Sequence, residues 1–104
     1  MKAYAILQKV TNYDIDEDFS NAWVDSVFFD QKQARARMHE CAENLETDAY
    51  ENIDSDDFET YKRIEDTMSF EEHEDSIIVE YELHDYCRFS FEVLIQEVEV
   101  QWLK

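Results

Sequence analysis

The acidic residues are the side chains whose spacing comes nearest to a chemical motif. Asp14, Asp16 and Asp18 alternate like the first ligands of an EF-hand calcium loop, and Asp25 falls at the twelfth position of that count. The loop requires Gly at its sixth position, where this chain has Phe19, and a bidentate Glu at its twelfth. We therefore expect at most weak, unspecific cation binding and predict no metal site.

Further acidic clusters recur along the chain. A row of carboxylates runs from Glu40 to Glu51, and two shorter clusters occupy 54–57 and 71–75. Each cluster alone is typical of a solvated surface, whereas together they predict a surface for a positively charged partner. The predicted partner-binding residues are Asp14, Asp16, Glu17, Asp18, Glu40, Glu43, Asp54, Asp56, Asp57, Glu71, Glu72, Glu74 and Asp75.

The other reactive residue types do not indicate catalysis. His39, His73 and His84 lack metal-ligand spacing, and none stands in a nucleophilic arrangement with Ser or Cys. Glycine is absent, which excludes a phosphate loop, a dinucleotide fingerprint and a nucleophile elbow. Cys41 and Cys87 lack Cys-x-x-Cys spacing and are predicted to be buried free thiols. We predict a protein that is not an enzyme and needs no cofactor.

Charge is the strongest compositional signal. The 104 residues include 27 Asp and Glu against 9 Lys and Arg, a formal net charge of -18. Spread over the roughly 6,000 Å² expected of a chain this size, that is about one net charge per 300 to 350 Å². A DNA duplex carries about one per 100 Å². The acids must therefore concentrate on one face, away from the Lys and Arg, if the protein is to resemble nucleic acid.

Composition also limits the class of protein. Hydrophobic residues make up 44% of the chain and aromatics 14%, which is too many for a disordered acidic tail. We expect one acidic α+β domain over residues 1–104. No apolar run is long enough to span a membrane, and the first residues do not resemble a signal peptide, so the expected location is the cytoplasm.

Hydrophobic periodicity predicts the elements that position these acids. Residues 3–10 and 22–29 are predicted as antiparallel strands on either side of an acidic loop at 13–21. Asp30 is predicted to cap a helix. Lys32, Arg35 and Arg37 lie in its first turns and its acids lie later, the reverse of the order that the helix dipole favours. Its predicted apolar stripe is Ala34, Met38, Cys41, Leu45 and Ala49.

The second half of the chain is predicted as mostly extended. Residues 52–68 fit both a helix and a strand, and we favour an extended segment. Residues 76–83 are predicted as a half-buried strand and 84–88 as a turn. The last strand changes parity, which predicts a bulge near Gln96 and Glu97. The expected fold is α+β, an antiparallel sheet of about four to five strands with one main helix on one face, in β-β-α-β-β order.

Three stretches carry a resemblance to a known class of proteins. The segments VDSVFFDQKQARARM, YKRIEDTMSFEEHED and IQEVEV resemble small acidic phage and mobile-element proteins with a strand-strand-helix-strand plan. Anti-CRISPR proteins and anti-restriction DNA mimics are among them. The resemblance implies binding in the nucleic-acid groove of a nuclease, inside the host cytoplasm if the protein is phage-encoded. No motif of an individual inhibitor family maps onto this chain.

Two functional hypotheses follow. The first is a nucleic-acid mimic that occupies the basic groove of a CRISPR effector or other defence nuclease, with Tyr13, Phe19, Tyr50 or Phe70 as aromatic anchors. Its partner would be a basic nucleic-acid-binding protein, and neither nucleic acid itself nor a membrane. The second is an acidic adaptor or self-assembling phage protein that uses an apolar sheet face. The sequence leaves the oligomeric state open, with a dimer as one option.

Overall fold

Five strands and two helices make up the protein in the computed structural model, which describes residues 1–14, 19–51, 53, 56–84 and 87–100. The elements in chain order are β1 (Lys2–Asp14), β2 (Phe19–Phe28), α1 (Gln31–Glu51), α2 (Phe58–Thr67), β3 (Ser69–Glu72), β4 (Ser76–His84) and β5 (Cys87–Glu99). The α+β class and the antiparallel sheet are as predicted. The predicted β-β-α-β-β order is wrong, because it lacks α2 and the short strand β3.

The strands form one antiparallel sheet in the order β2-β1-β5-β4-β3. The interior strands β1 and β5 have 13 residues each and pair without a register shift from Lys2 opposite Glu99 to Asp14 opposite Cys87. At about 3.3 Å per residue, each spans about 43 Å. This long central pair gives the molecule its elongated dimensions of 58 × 27 × 22 Å.

Helix α1 packs on one face of the sheet. Its start is capped as predicted, since the Asp30 Oδ1 accepts a hydrogen bond from the Lys32 backbone N–H at 2.8 Å. The predicted stripe faces the sheet: its residues are buried, apart from the half-buried Leu45. Against it lie sheet side chains that alternate toward the same face, namely Ile6, Ile77, Val79, Val93 and Ile95.

Helix α2 replaces the extended segment predicted within residues 52–68. Asp57 caps it: its Oδ1 accepts from the Thr60 backbone N–H at 3.1 Å and its Oδ2 from the Thr60 hydroxyl at 2.7 Å. Ile64 is fully buried, whereas Phe58, which shares its parity in a strand, is 76% exposed. The helical period was therefore the correct one.

Helix α2 also covers the part of β4 that β3 is too short to reach. The Thr67 hydroxyl accepts from the Glu82 backbone N–H at 2.8 Å, and Arg63 donates to the Glu82 carboxylate at 2.7 Å. Beside this contact a second core cluster contains Ala49, Ile64 and Tyr81. An edge that would otherwise expose unpaired backbone groups is thus protected.

The bulge predicted near Gln96 and Glu97 is wrong, since β5 pairs continuously with β1 through both residues. The change of parity has another origin: Val98 lies opposite Ala3 on the face away from α1, and it is half-buried there. Register shifts occur instead in β2 at Asp25 and in β4 between Glu82 and His84.

The acidic loop predicted at 13–21 is shorter than expected, because β1 continues to Asp14 and β2 begins at Phe19. The turn predicted at 84–88 is shortened in the same way, since β4 ends at His84 and β5 begins at Cys87. Both cysteines are buried and neither is in a disulfide, as predicted.

The sheet face opposite α1 carries an apolar patch that neither described helix covers. Leu7 lies opposite Leu94 of β5 and Val24 of β2, and Ala5 lies opposite Val27. Val24 and Val27 on the edge strand β2 are 58% and 54% exposed. In the part of the chain that the structure describes, no helix is long and apolar enough to cross a membrane.

Candidate functional site

The predicted partner-binding residues fall into four places. Asp14 ends β1, and Asp16, Glu17, Asp18 and Asp54 lie outside the described residues. Asp56 and Asp57 precede α2, where Asp57 serves as its cap. The other predicted residues are exposed, with Glu40 and Glu43 on α1 and Glu71, Glu72, Glu74 and Asp75 in the β3–β4 hairpin.

The first half of α1 meets the β3–β4 hairpin through ion pairs. An Arg35 Nη2 lies 3.1 Å from a carboxylate oxygen of Glu74 and 3.7 Å from one of Asp75. The His39 Nε2 lies 2.5 Å from a carboxylate oxygen of Glu72. Two acidic clusters that are far apart in sequence therefore come together, but cations of α1 partly neutralise them.

His39 responds to this acidic environment. Its Nδ1 contacts the Arg35 carbonyl at 2.9 Å, and this bond, followed by the Glu72 bond, raises the pKa of His39 above its ordinary 6.5. The negative charge of Glu43 also raises this pKa, so Glu43 lies within range of the same ring. Protonated His39 is the form that best bridges α1 to the hairpin.

The second half of α1 meets α2 through a pair of aromatic rings. The ring centroids of Tyr50 and Tyr61 are 4.9 Å apart with an interplanar angle of 46°. Burial raises the pKa of Tyr50, and the charges of Glu65 and Glu46 raise it further. Both carboxylates therefore lie near one phenol, one from each helix.

These contacts define an acidic surface that we call the helix-layer acid face, made up of Glu43, Glu46 and Glu65. Glu43 and Glu46 are about 4.5 Å apart along the axis of α1. All three side chains are exposed. None has an ion-pair partner among the described residues.

Five of the eight described Lys and Arg side chains lie on the helices, and the other three lie on the sheet, each paired with a carboxylate. Lys9 pairs with Glu92 at 3.9 Å on the uncovered sheet face, where Arg88 also pairs with Glu80. Near the end of the sheet the Lys2 Nζ lies 3.0 Å from Glu97.

Two of the described Lys and Arg side chains, Lys32 and Lys62, have no ion-pair partner. Lys62 lies on α2 within one helical turn of Glu59 and Asp66. Among the described residues, the carboxylates without an ion-pair partner therefore lie mainly on the helices, whereas those of the sheet are largely paired.

Asp25 belongs to the fold and not to a cation loop. Because it occupies the bulge in β2, its side chain reaches α1, where Arg37 donates to both carboxylate oxygens at 2.8 and 2.9 Å. Ser26 and Gln8 donate to the same group at 2.7 and 3.1 Å. The Arg37 bond lowers the pKa of Asp25 to about 2.

Burial raises the pKa of the Cys41 thiol, so the reactive thiolate is disfavoured. No group of three His, Cys, Asp or Glu among the described residues could hold a metal ion. The arrangement can bind cationic groups through the carboxylates on its surface.

Sequence reasoning found Glu43 but did not select Glu46 or Glu65 as partner-binding residues. Glu65 was missed because its segment was interpreted as extended. In a helix, Tyr61 and Glu65 share one face at i, i+4 spacing, so the helical interpretation would have found it.

The predicted aromatic anchors have mixed exposure. Tyr13 is 50% exposed and Phe70 48% exposed, whereas Tyr50 is half-buried between the helices. The side chain of Phe19 lies outside the described part. Tyr61, which was not selected, is 47% exposed beside the helix-layer acid face.

Comparisons with protein-family models, with curated proteins and with solved structures found no match. The functional argument therefore depends on the surface and its charges.

Proposed function

We propose that this protein is a non-enzymatic inhibitor that occupies the basic nucleic-acid groove of a nuclease, as a nucleic-acid mimic. The observation that carries the proposal is a difference in pairing. Among the described residues, Glu43, Glu46 and Glu65 of the helices have no ion-pair partner, whereas Glu80, Glu92 and Glu97 of the sheet are paired. The Lys and Arg side chains of a groove that binds phosphates could pair with these uncompensated carboxylates.

The dimensions of the molecule also support the proposal of a nucleic-acid mimic. Averaged over a surface of 7409 Å², a net charge of -18 amounts to about one per 410 Å², well below the density of DNA. The helix-layer acid face exceeds this average only locally, where Glu43, Glu46 and Glu65 have no ion-pair partner among the described residues. The shorter dimensions of 27 and 22 Å are close to the width of a duplex, about 20 Å, and the length of 58 Å equals about 17 base pairs.

Charge alone gives encounter rate more than affinity, so a mimic also needs desolvated anchors. Tyr61 is 47% exposed beside Glu65, and its ring contacts that of Tyr50. A tyrosine held in place by a neighbouring ring loses little entropy on binding. We assign Tyr61 as the anchor within the helix-layer acid face.

A CRISPR effector or another defence nuclease is the target class that we propose, since the resemblance to acidic phage proteins favours it. The test is a cleavage assay on purified effector–guide complexes and restriction nucleases, with the protein added before or after the DNA substrate. We expect inhibition that is strong when the protein is added first and that excess DNA relieves. Cleavage that is unaffected in every case would refute the proposal.

Two charge-matched variants locate the contact. The helix variant carries Glu43→Gln, Glu46→Gln and Glu65→Gln, and the sheet variant carries Glu80→Gln, Glu92→Gln and Glu97→Gln. Both remove three negative charges. At about 0.7 kcal/mol per exposed charge contact, the helix variant should inhibit about 30-fold more weakly, and the sheet variant should inhibit like the wild type. Equal losses in both would contradict a contact through the helices.

The second candidate function is self-assembly through the edge strand β2. This ten-residue strand is neutral apart from Asp25, whose charge Arg37 compensates. Two chains of the same strong negative charge can approach most closely along such a strand, and Val24 and Val27 are exposed on it.

Sedimentation equilibrium of the wild type and of a Val24→Lys, Val27→Lys variant tests this candidate. Assembly predicts a wild-type dimer that the substitutions dissociate. A wild type that stays monomeric at high protein concentration would exclude it.

A further inference from the structure

A cavity of about 580 Å³ lies between the sheet, the last turns of α1 and the start of α2. Its volume is in the range of small-molecule binding sites, about 300 to 1,000 Å³. Four of its lining side chains are aromatic: Trp23 of β2, Tyr81 of β4, and Phe89 and Phe91 of β5. Of the eight other lining residues, four are apolar and four are polar or acidic.

The aromatic side chains form a compact group. The ring centroids of Tyr81 and Phe89 are 5.5 Å apart, and each lies 5.9 Å from that of Phe91. Their planes are within 27° of one another. Trp23 is 41% exposed at the opposite wall, on the edge strand. The lining thus contains aromatic side chains, the residue type that binds ammonium and guanidinium groups through cation–π contacts.

The charged groups of the lining are all negative. Asp48 of α1 and Asp57 at the cap of α2 line the cavity, and no Lys, Arg or His is among its described lining residues. The Thr60 hydroxyl and backbone N–H both bond the Asp57 carboxylate and lower its pKa, so it is ionised at neutral pH. An anionic ligand is therefore disfavoured.

The direction of α1 adds to this preference. Asp48 and Ala49 in its last turns line the cavity, so the negative end of its dipole lies near the site, and the positive end of α2 at the same cavity is capped by the carboxylate of Asp57. The last turn contains no basic residue that would compensate it. The acids of α1 lie toward its negative end. This order destabilises the isolated helix, but it favours a cation bound at this end.

We propose that this cavity is a binding site for an organic cation, an alkylated ammonium or a guanidinium on an apolar stem. The aromatic walls bind the apolar part, and Asp48, Asp57 and the end of α1 stabilise the charge. The site is independent of the nuclease proposal. The cation comes either from a free small molecule or from an arginine side chain of a partner.

The test is an NMR titration of the ¹⁵N-labelled full chain at low salt. The probes are choline, its neutral isostere 3,3-dimethyl-1-butanol, N-acetylarginine amide and the anion benzoate. We expect both cations to shift the amide signals of Ala49 and Leu83 and to bind at least tenfold more tightly than the alcohol. Tighter binding of choline indicates a small-molecule ligand, and tighter binding of the arginine derivative indicates a partner side chain.

Matched variants separate the site from general electrostatic attraction. Asp48→Asn should weaken choline binding by about threefold to tenfold, whereas Glu43→Gln, an equal change of charge on the same helix, should leave it unchanged. Trp23→Leu should weaken it by about fivefold, and Phe70→Leu, at an exposed aromatic outside the cavity, should not.

Three results would overturn the proposal. One is that the alcohol binds as tightly as choline, and another is that benzoate competes with the cations. The third is that neither cation, at about 50 mM, shifts the amide signals of Ala49 and Leu83. That concentration exceeds a dissociation constant of about 10 mM, the weakest binding that would support the proposal.

Discussion

Acid should destabilise this protein through the Asp25–Arg37 ion pair. The Asp25 side chain is only 12% exposed, and Arg37 donates to both of its oxygens. The bond from Arg37 is the main reason that the pKa of Asp25 falls from 3.8 to about 2. Since the pKa is lower in the folded state, the pair contributes its full stability above the unfolded value and loses it as the pH falls toward the folded value.

The magnitude follows from the two pKa values. One pKa unit corresponds to about 1.36 kcal/mol, so a decrease from 3.8 to about 2 corresponds to about 2.4 kcal/mol. The loss should occur between about pH 4 and pH 2. Protonation of the other acids acts in the opposite direction, because it relieves repulsion among them. The wild type and an Asp25 variant must therefore be compared at each pH to isolate the contribution of Asp25 to stability.

Urea unfolding followed by circular dichroism at pH 6, 4, 3 and 2 makes that comparison between the wild type and Asp25→Asn. We expect the variant to be less stable by about 2 kcal/mol at pH 6 and the difference to shrink to near zero at pH 2. The control is Glu74→Gln, which removes an exposed ion-pair acid and should cost little at any pH. A difference that stays constant with pH would refute the reasoning.

Three other predictions test the helices. Ile64→Ala should reduce the free energy of unfolding by about 2 to 5 kcal/mol and Phe58→Ala by far less, because Ile64 is fully buried and Phe58 is 76% exposed; equal losses in urea would contradict the packing of α2. Asp57→Ala removes the cap of α2 and should lower the melting temperature by about 5 °C, whereas Asp57→Ser should restore most of it; a melting temperature that Ala leaves unchanged would contradict the cap. The pKa of His39, measured by NMR, should lie above 6.5 and fall in Glu72→Gln; its contribution to stability is complete below pH 6.5 and is lost as the pH rises through the folded value, and a pKa insensitive to Glu72 would contradict the bridge.

The sequence predicted the elements whose periodicity has one interpretation. The predicted strands at 3–10, 22–29 and 76–83 coincide with most of β1, β2 and β4, because apolar side chains alternate along them. The stripe of α1 repeats at helical spacing over five residues, and its cap is a single Asp. In each case a local pattern and a tertiary contact favour the same structure.

The errors arose where two periods fitted or where a tertiary contact decided. Residues 58–64 satisfy both a strand and a helix, and the Asp57–Thr60 cap favours the helix. The parity change in β5 is not a bulge, because β5 pairs with β1 in continuous register and Val98 is half-buried on the face away from α1. The bulge at Asp25 depends on Arg37, which is twelve residues away along the chain.

The sequence predicted the partner-binding surface only in part, because tertiary contacts decide which acids are paired. Exposed clusters of Asp and Glu are visible in the sequence, but their neutralisation is not. Glu74 and Asp75 were selected with Glu43, yet Arg35 pairs with the first two, and Glu43 has no ion-pair partner among the described residues. Which acids stay unpaired depends on the packing of α1 against the hairpin.

The most direct test of the central claim is the salt dependence of binding to an inhibited nuclease, measured for the wild type and for both charge-matched variants. If the helix-layer acid face makes the contact, the dissociation constant of the wild type and of the sheet variant should rise steeply and in parallel from about 50 to 500 mM salt. The helix variant should show a distinctly shallower slope. Equal slopes for all three proteins, or a sheet variant with the shallowest slope, would contradict binding through Glu43, Glu46 and Glu65.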